Sequence, residues 1–205
     1  MKVCLSCLYP YQDKIEELTC RLLAFGFSPK GCSKESPTES FDLWTFGITL
    51  IFLSFSMIKW HLKKFDELSP LELYSILQLR NEVFVVEQNC VFQDADNKDQ
   101  PAYHLMGWSA EKLLAYSRII PAGLAYEFPS IGRVVTSPAE RRNGIGKILM
   151  KESIEAVTKL FGPVPIKLGA QLYLKKFYES FGFVQSGDVY REDDIEHIEM
   201  VRPGS

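Results

Sequence analysis

Arg141-Arg142-Asn143-Gly144-Ile145-Gly146 stands between a short apolar run, Ile131 to Thr136, and a long stretch whose apolar residues recur at helical spacing. Pro138 closes the run before it. Ile145, Ile148, Leu149, Ala156, Val157 and Leu160 fall on one face of the stretch after it, and Gly162-Pro163 ends that stretch. The order is strand, glycine turn, helix, and two nucleotide-binding motifs of that order can be tested by identity. A P-loop needs a glycine five residues before Gly146, where Arg141 stands, and a Ser or Thr where Ile148 stands. A dinucleotide fingerprint needs a glycine at Leu149. Neither fits. What is left is a turn in which Gly144 and Gly146 expose backbone amides at the positive end of a helix, a cradle for a phosphate or pyrophosphate with Arg141 or Arg142 at its edge. Glycines kept only for tight strand-to-helix packing remain the alternative.

Working outward, Val164 to Leu168 reads as a buried strand and about Gln171 to Ser180 as a second helix, with Gly182 suited to the left-handed position beyond it. Tyr190 and Ile195 to Val201 are strand material. Upstream, Leu105–Trp108 and Leu113–Ile120 around Ser109-Ala110-Glu111-Lys112 suit a hairpin, and Pro121 to Pro129 is a connector. Ser69-Pro70-Leu71-Glu72 carries a capping serine, a proline at the first helical position and a glutamate that reaches back to the cap. Leu73, Ile76, Leu77, Val83 and Phe84 continue that helix, interrupted by Arg80. Ile58, Trp60 and Leu62 alternate with Lys59, His61 and Lys63 as in a half-buried strand. The fold class expected is α/β, with a mixed and mainly antiparallel central sheet flanked by helices.

Residues 57–205 therefore form the expected domain. Residues 1–56 read as an N-terminal extension or an upstream start, and carry four of the five cysteines. Leu43 to Ile58 is a run of 16 uncharged residues, short of the roughly 20 a spanning helix needs, so membrane association is not expected. Cys4-Leu5-Ser6-Cys7 has a zinc-like gap, but Cys20 and Cys32 form no second close pair, and no metal is expected. The polar stretch Gln88 to Pro101 lacks the glycine and terminal glutamate of a calcium loop and reads as solvated. A net charge of −3 without a basic cluster argues against nucleic-acid binding, and 46% hydrophobic residues argue against disorder.

The glycine turn, the strands around it and Phe177-Tyr178-Glu179-Ser180-Phe181-Gly182-Phe183 resemble the GNAT superfamily of acyl-CoA N-acyltransferases. Leu79-Arg80 with Val83-Phe84-Val85-Val86-Glu87-Gln88-Asn89-Cys90, Ile131-Gly132-Arg133-Val134, Leu168-Gly169-Ala170-Gln171 and Glu192 to Met200 are similar to the ElaA subfamily. Asp194-Ile195-Glu196 departs from the Gly-Ile-Pro common there.

The resemblance implies a cytoplasmic enzyme that transfers an acetyl group from acetyl-CoA to a small-molecule amine by direct attack, with no metal. It places the donor's pyrophosphate on Arg141, Arg142, Asn143, Gly144, Ile145, Gly146 and Lys147, and its pantetheine arm along Val134, Val135 and Thr136. Tyr178 becomes the expected proton donor to the leaving thiolate, its bland alternative being a packed aromatic, a part for which Phe177 is better suited. Glu87, His104 and His197 are candidate bases, each with a structural alternative: Glu87 as a partner of Arg80, the histidines as packed strand residues. Asp94, Asp96, Asp99 and Glu87 suggest a cationic acceptor. A homodimer is compatible with the sequence, and an acyl-CoA-binding regulatory module without turnover is the alternative function.

Overall fold

The structure, a computed structural model, describes residues 58–192 and 194–204. The expected boundary before Met57, the apolar run from Leu43 up to Met57, and Cys4, Cys7, Cys20 and Cys32 lie outside the described residues. Strands β1 (Lys59–Lys64), β2 (Tyr103–Ser109), β3 (Lys112–Ile120) and β4 (Ser130–Thr136) form an antiparallel meander. Beyond it come β5 (Ile166–Gln171), the short β6 (Val184–Gln185) and β7 (Tyr190–Glu192), and the long β8 (Ile195–Arg202). The sheet order is β1-β2-β3-β4-β5-β8-β6, with β7 also on β8. Only β4 and β5 run parallel among the described strands, so the mixed, mainly antiparallel α/β sheet is the one expected.

Helix α1 (Pro70–Arg80) starts at the predicted cap: the Glu72 amide donates to Ser69 Oγ at 3.2 Å, and the Ser69 amide donates to Glu72 at 2.8 Å. It continues as a wider π-helical turn over Asn81–Glu87, a geometry frequent at functional sites. Ile76, Leu79 and Val83 are buried, whereas Leu77 is exposed. Arg80, which interrupts the apolar stripe in sequence, is fully buried.

Helix α2 (Ile145–Phe161) buries Ile145, Leu149, Ala156 and Val157 of the expected face, leaves Ile148 and Leu160 half-buried, adds Met150, and ends at Gly162 with φ +82°. Ser153 on the same face is satisfied by Ser117 at 2.8 Å and by the Leu149 carbonyl at 2.7 Å. The second predicted helix is shorter than expected. Strand β5 runs on to Gln171, a 3-10 turn covers Leu172–Leu174, and only Lys175–Glu179 is α-helix, α3. Gly182 then takes φ +83°, the left-handed turn expected of it. One hydrophobic cluster joins β3, β4, β5, β8, α2 and α3 through residues such as Ile119, Ile131, Val157, Leu168, Phe183 and Met200.

Candidate active site

Strands β4 and β5 are paired at one point, Ser130 with Lys167. Beyond it β5 pairs only with β8, so the edge of β4 from Ile131 to Thr136 turns to a cleft instead of a strand. A β-bulge widens this opening. Tyr116 faces Val135 and Arg118 faces Gly132, which places one extra residue in β4. Arg133, within the bulge, has φ +50°, a left-handed conformation that costs a non-glycine residue roughly 1–2 kcal/mol. Its side chain holds it there. Arg133 Nε donates to Asp94 at 2.6 Å, and the guanidinium lies against the rings of Phe84 and Phe92 at 5.9 and 5.8 Å.

The glycine turn lies at the N-terminus of α2. Gly144 has φ +80° and its carbonyl accepts from Lys147 and Ile148. No side chain caps the helix and no acidic residue sits in its first turn, so the first amides, which have no acceptor within the helix, keep their positive end open. A methyl group built on Gly146 would meet nothing within 4 Å. These features fit an anionic group resting on the backbone. Arg141, the expected contributor of charge, is instead turned to Glu87, donating from both Nη atoms at 2.5 and 2.7 Å. The hydrogen bonds from Arg141 hold the Glu87 carboxyl below the usual carboxylate range.

At the sheet opening lies a cavity of about 520 Å³, with walls from β4, β5, β7, β8, the 88–98 loop and α3. Of the four expected catalytic residues, Tyr178 and His197 line it. Tyr178 is 6% exposed, packed edge-on against Phe177 and Phe183; it, not Phe177, is the buried aromatic of α3. Burial, with a smaller contribution from Tyr173, pushes its phenol up to about 12. His197 stacks on Tyr190, and its Nδ1 lies 2.9 Å from the Ile195 carbonyl. A carbonyl only accepts, so that contact places the proton on Nδ1 and leaves the lone pair on Nε2.

His104 is not brought to the cavity. It is fully buried, with Nδ1 2.8 Å from Tyr116 Oη and Nε2 3.0 Å from the Asp99 carbonyl, and burial lowers its pKa. Both nitrogens are engaged, which makes it a brace between β2, β3 and the acidic loop. Glu87 does not line the cavity either, and its partner is Arg141 rather than Arg80.

The acidic loop is not the solvated segment expected. Asp99 is 7% exposed, and its Oδ1 accepts from Arg80 and Arg118, both at 2.8 Å. Asp96 takes two bonds from Arg118, at 2.6 and 2.8 Å, and Asp94 lies between Arg80 and Arg133 at 2.6 Å from each. Burial raises the Asp96 and Asp99 carboxyls, but the arginine hydrogen bonds outweigh it and hold both well below the usual range. Four carboxylates that suggested a cationic acceptor are thus each matched by arginine. Two arginines inside apolar segments, Arg80 and Arg118, were the overlooked signal, because a buried guanidinium requires carboxylate partners. Among the described residues no cluster of three His, Cys, Asp or Glu is placed to hold a metal, and no helix is long and apolar enough to cross a membrane.

A parallel strand pair that splays at a bulge, with a glycine-led helix N-terminus at one mouth, defines an acyl-CoA N-acyltransferase type of fold. Residues 81–202 match the model of the acetyltransferase (GNAT) domain, and the chain belongs to that family. It is 45% identical to protein ElaA of Escherichia coli (strain K12) over 148 residues, which is 71% of this chain and 97% of that protein. Among solved structures it resembles an acyl-CoA N-acyltransferase from Pseudomonas aeruginosa, with 43% identity, TM-score 0.69, and 71% of this chain and 99% of that one covered. The crystal structure of Escherichia coli ElaA gives 44% identity, TM-score 0.68 and the same coverage.

Proposed function

We propose that this protein is an N-acetyltransferase that moves the acetyl group of acetyl-CoA to a primary amine. The observation that carries the reading is the unpaired bulged edge of β4, with an open helix N-terminus at one end and a cavity holding Tyr178 and His197 beside it. The α2 turn from Arg142 to Lys147 takes the donor's pyrophosphate. Backbone groups of Val134, Val135 and Thr136 take the pantetheine arm as a strand would, which fixes the thioester in the cleft.

An amine reaches neutral pH as an ammonium and must lose a proton before attack. His197 Nε2 accepts that proton. The amine nitrogen then forms a bond to the thioester carbon, and the tetrahedral intermediate collapses by breaking the carbon–sulfur bond. Tyr178, protonated throughout the physiological range because of its burial, supplies the hydrogen bond and the proton that the departing sulfur needs. Two protons leave nitrogen: the first goes to His197 before attack and on to solvent, and the second, lost from nitrogen as the carbon–sulfur bond breaks, restores the Tyr178 phenol whose proton has gone to sulfur, so the products are an amide, the coenzyme A thiol and one released proton. No covalent enzyme intermediate forms.

A thiol-release assay with acetyl-CoA and a panel of primary amines tests the reading, alongside the rise in melting temperature on adding acetyl-CoA. Thiol release with an acceptor supports transfer. Thermal stabilisation with no thiol release across the panel points instead to an acyl-CoA-binding regulatory module.

A further inference from the structure

The cavity has a polar end that the transfer steps do not use. Gly169 in β5 opens into it, and a methyl group there would lie 3.0 Å from Tyr190 Oη and 3.3 Å from Tyr126 Oη. The two phenols come from distant parts of the chain, the connector between β3 and β4 and strand β7, yet their hydroxyls converge over one backbone position. Among the described residues neither hydroxyl has a hydrogen-bond partner. Glu192 is two residues beyond Tyr190 and so on the same face of β7. It also lines the cavity, and has no ion-pair partner among the described residues.

The charges beneath this end favour a cation. Lys167 lies on the Tyr126 ring at 4.9 Å, but Glu199 neutralises it at 3.0 Å. The carboxylate of Glu192 is left unmatched. Burial, reinforced by neighbouring acidic groups, raises the Tyr126 phenol and pushes that of Tyr190 up to about 12, so both hydroxyls stay neutral and can direct lone pairs at a donor.

We infer that Tyr126 Oη, Tyr190 Oη and the Glu192 carboxylate hold the ammonium of an acceptor that carries two amino groups. The held amine stays protonated while the other, neutral, amine is presented to the thioester. This rests on the acetyltransferase reading for the second amine only. A cationic acceptor is thereby assigned to residues other than the loop aspartates, which arginines already occupy.

The test compares 1,4-diaminobutane, butylamine and 4-aminobutanoate, with the wild-type chain, Gly169→Ala, and the double variant Tyr126→Phe/Tyr190→Phe. Binding to the coenzyme A-loaded protein is read by calorimetry and turnover by thiol release. Gly169 has no left-handed φ, so the alanine adds its methyl among the hydroxyls without straining the backbone. The wild type should favour the diamine over butylamine by about tenfold in binding and in kcat/KM, the scale of one charge-assisted hydrogen bond. Both variants should bring that ratio close to one while the thermal shift with coenzyme A is kept. Equal use of diamine and monoamine by the wild type, a preference for 4-aminobutanoate, or an unchanged ratio in Gly169→Ala would overturn the inference. Diamine binding that Gly169→Ala abolishes, with no thiol release from any amine, would keep the subsite and reject the transfer reading instead.

Discussion

Replacing Asp99 by asparagine preserves the shape of the side chain and removes the charge shared by two buried guanidiniums. Arg80 is 0% exposed and Arg118 3%, and both donate to the same oxygen of Asp99 at 2.8 Å. Removing one member of a buried ion pair costs about 3–5 kcal/mol, because the remaining charge stays buried and uncompensated. Here each arginine keeps a second carboxylate, Asp94 for Arg80 and Asp96 for Arg118. The expected loss is therefore at the lower end, about 3 kcal/mol, or roughly 6–12 °C in Tm for a domain of this size. Urea unfolding followed by circular dichroism measures it as a lower midpoint at unchanged slope. The same network sets an acid limit. A carboxyl held low in the folded state contributes stability above its ordinary pKa, and that contribution is lost as the pH falls through the ordinary range near ~4 toward the folded value. Asp99→Asn should accordingly show a shallower loss of stability below about pH 4 than the wild type. A loss under about 1 kcal/mol, the range of exposed ion pairs, would refute the network as a structural keystone.

Tyr178→Phe keeps the buried ring and should lower kcat by about 10²-fold, the typical scale of a positioned acid, with coenzyme A affinity held; unchanged turnover removes Tyr178 from the reaction. His197→Ala should lower turnover, whereas Glu87→Gln, which releases Arg141 to the phosphate turn, should keep turnover and bind coenzyme A at least as tightly. Loss of turnover in Glu87→Gln with His197→Ala active would exchange the two assignments. Gly146→Ala should move two quantities in opposite directions. With open space at the methyl position, the helix gains about 0.5 kcal/mol, while a methyl on the open face of the turn weakens coenzyme A binding measured by calorimetry.

Local signals were legible in the sequence where one segment carries its own instructions. The Ser69 cap, the β2–β3 hairpin, the glycine turn and the apolar face of α2 all depend on residues within a few positions of one another. The cleft follows from resemblance rather than pattern, since the splay of β4 from β5 is a relation between strands 37 residues apart at their one paired point. The helix expected from Gln171 was shortened because β8 pairs with β5 through Gln171, a tertiary demand that local periodicity does not contain. Long-range electrostatics was the largest loss. Arg80 finds its partners 14 and 19 residues on, and Glu87 finds Arg141 54 residues on. Two of the three base candidates thereby acquired other partners, and the carboxylates read as a lure for cations turned out to be a scaffold. Tyr126 and Tyr190 gave no sequence signal, because only the fold brings their hydroxyls over Gly169.

The clamp on Arg133 makes one wall of the cavity costly to change. Because that residue's left-handed turn is braced by Asp94, Asp96, Phe84 and Phe92, a substitution in the 88–101 loop should reach the strand that would hold the thioester. Changes of acceptor within this lineage should then accumulate away from that clamp, in the connector that carries Tyr126 and the hairpin of β7 and β8, where a new side chain alters what is recognised without disturbing the strand proposed to hold the thioester.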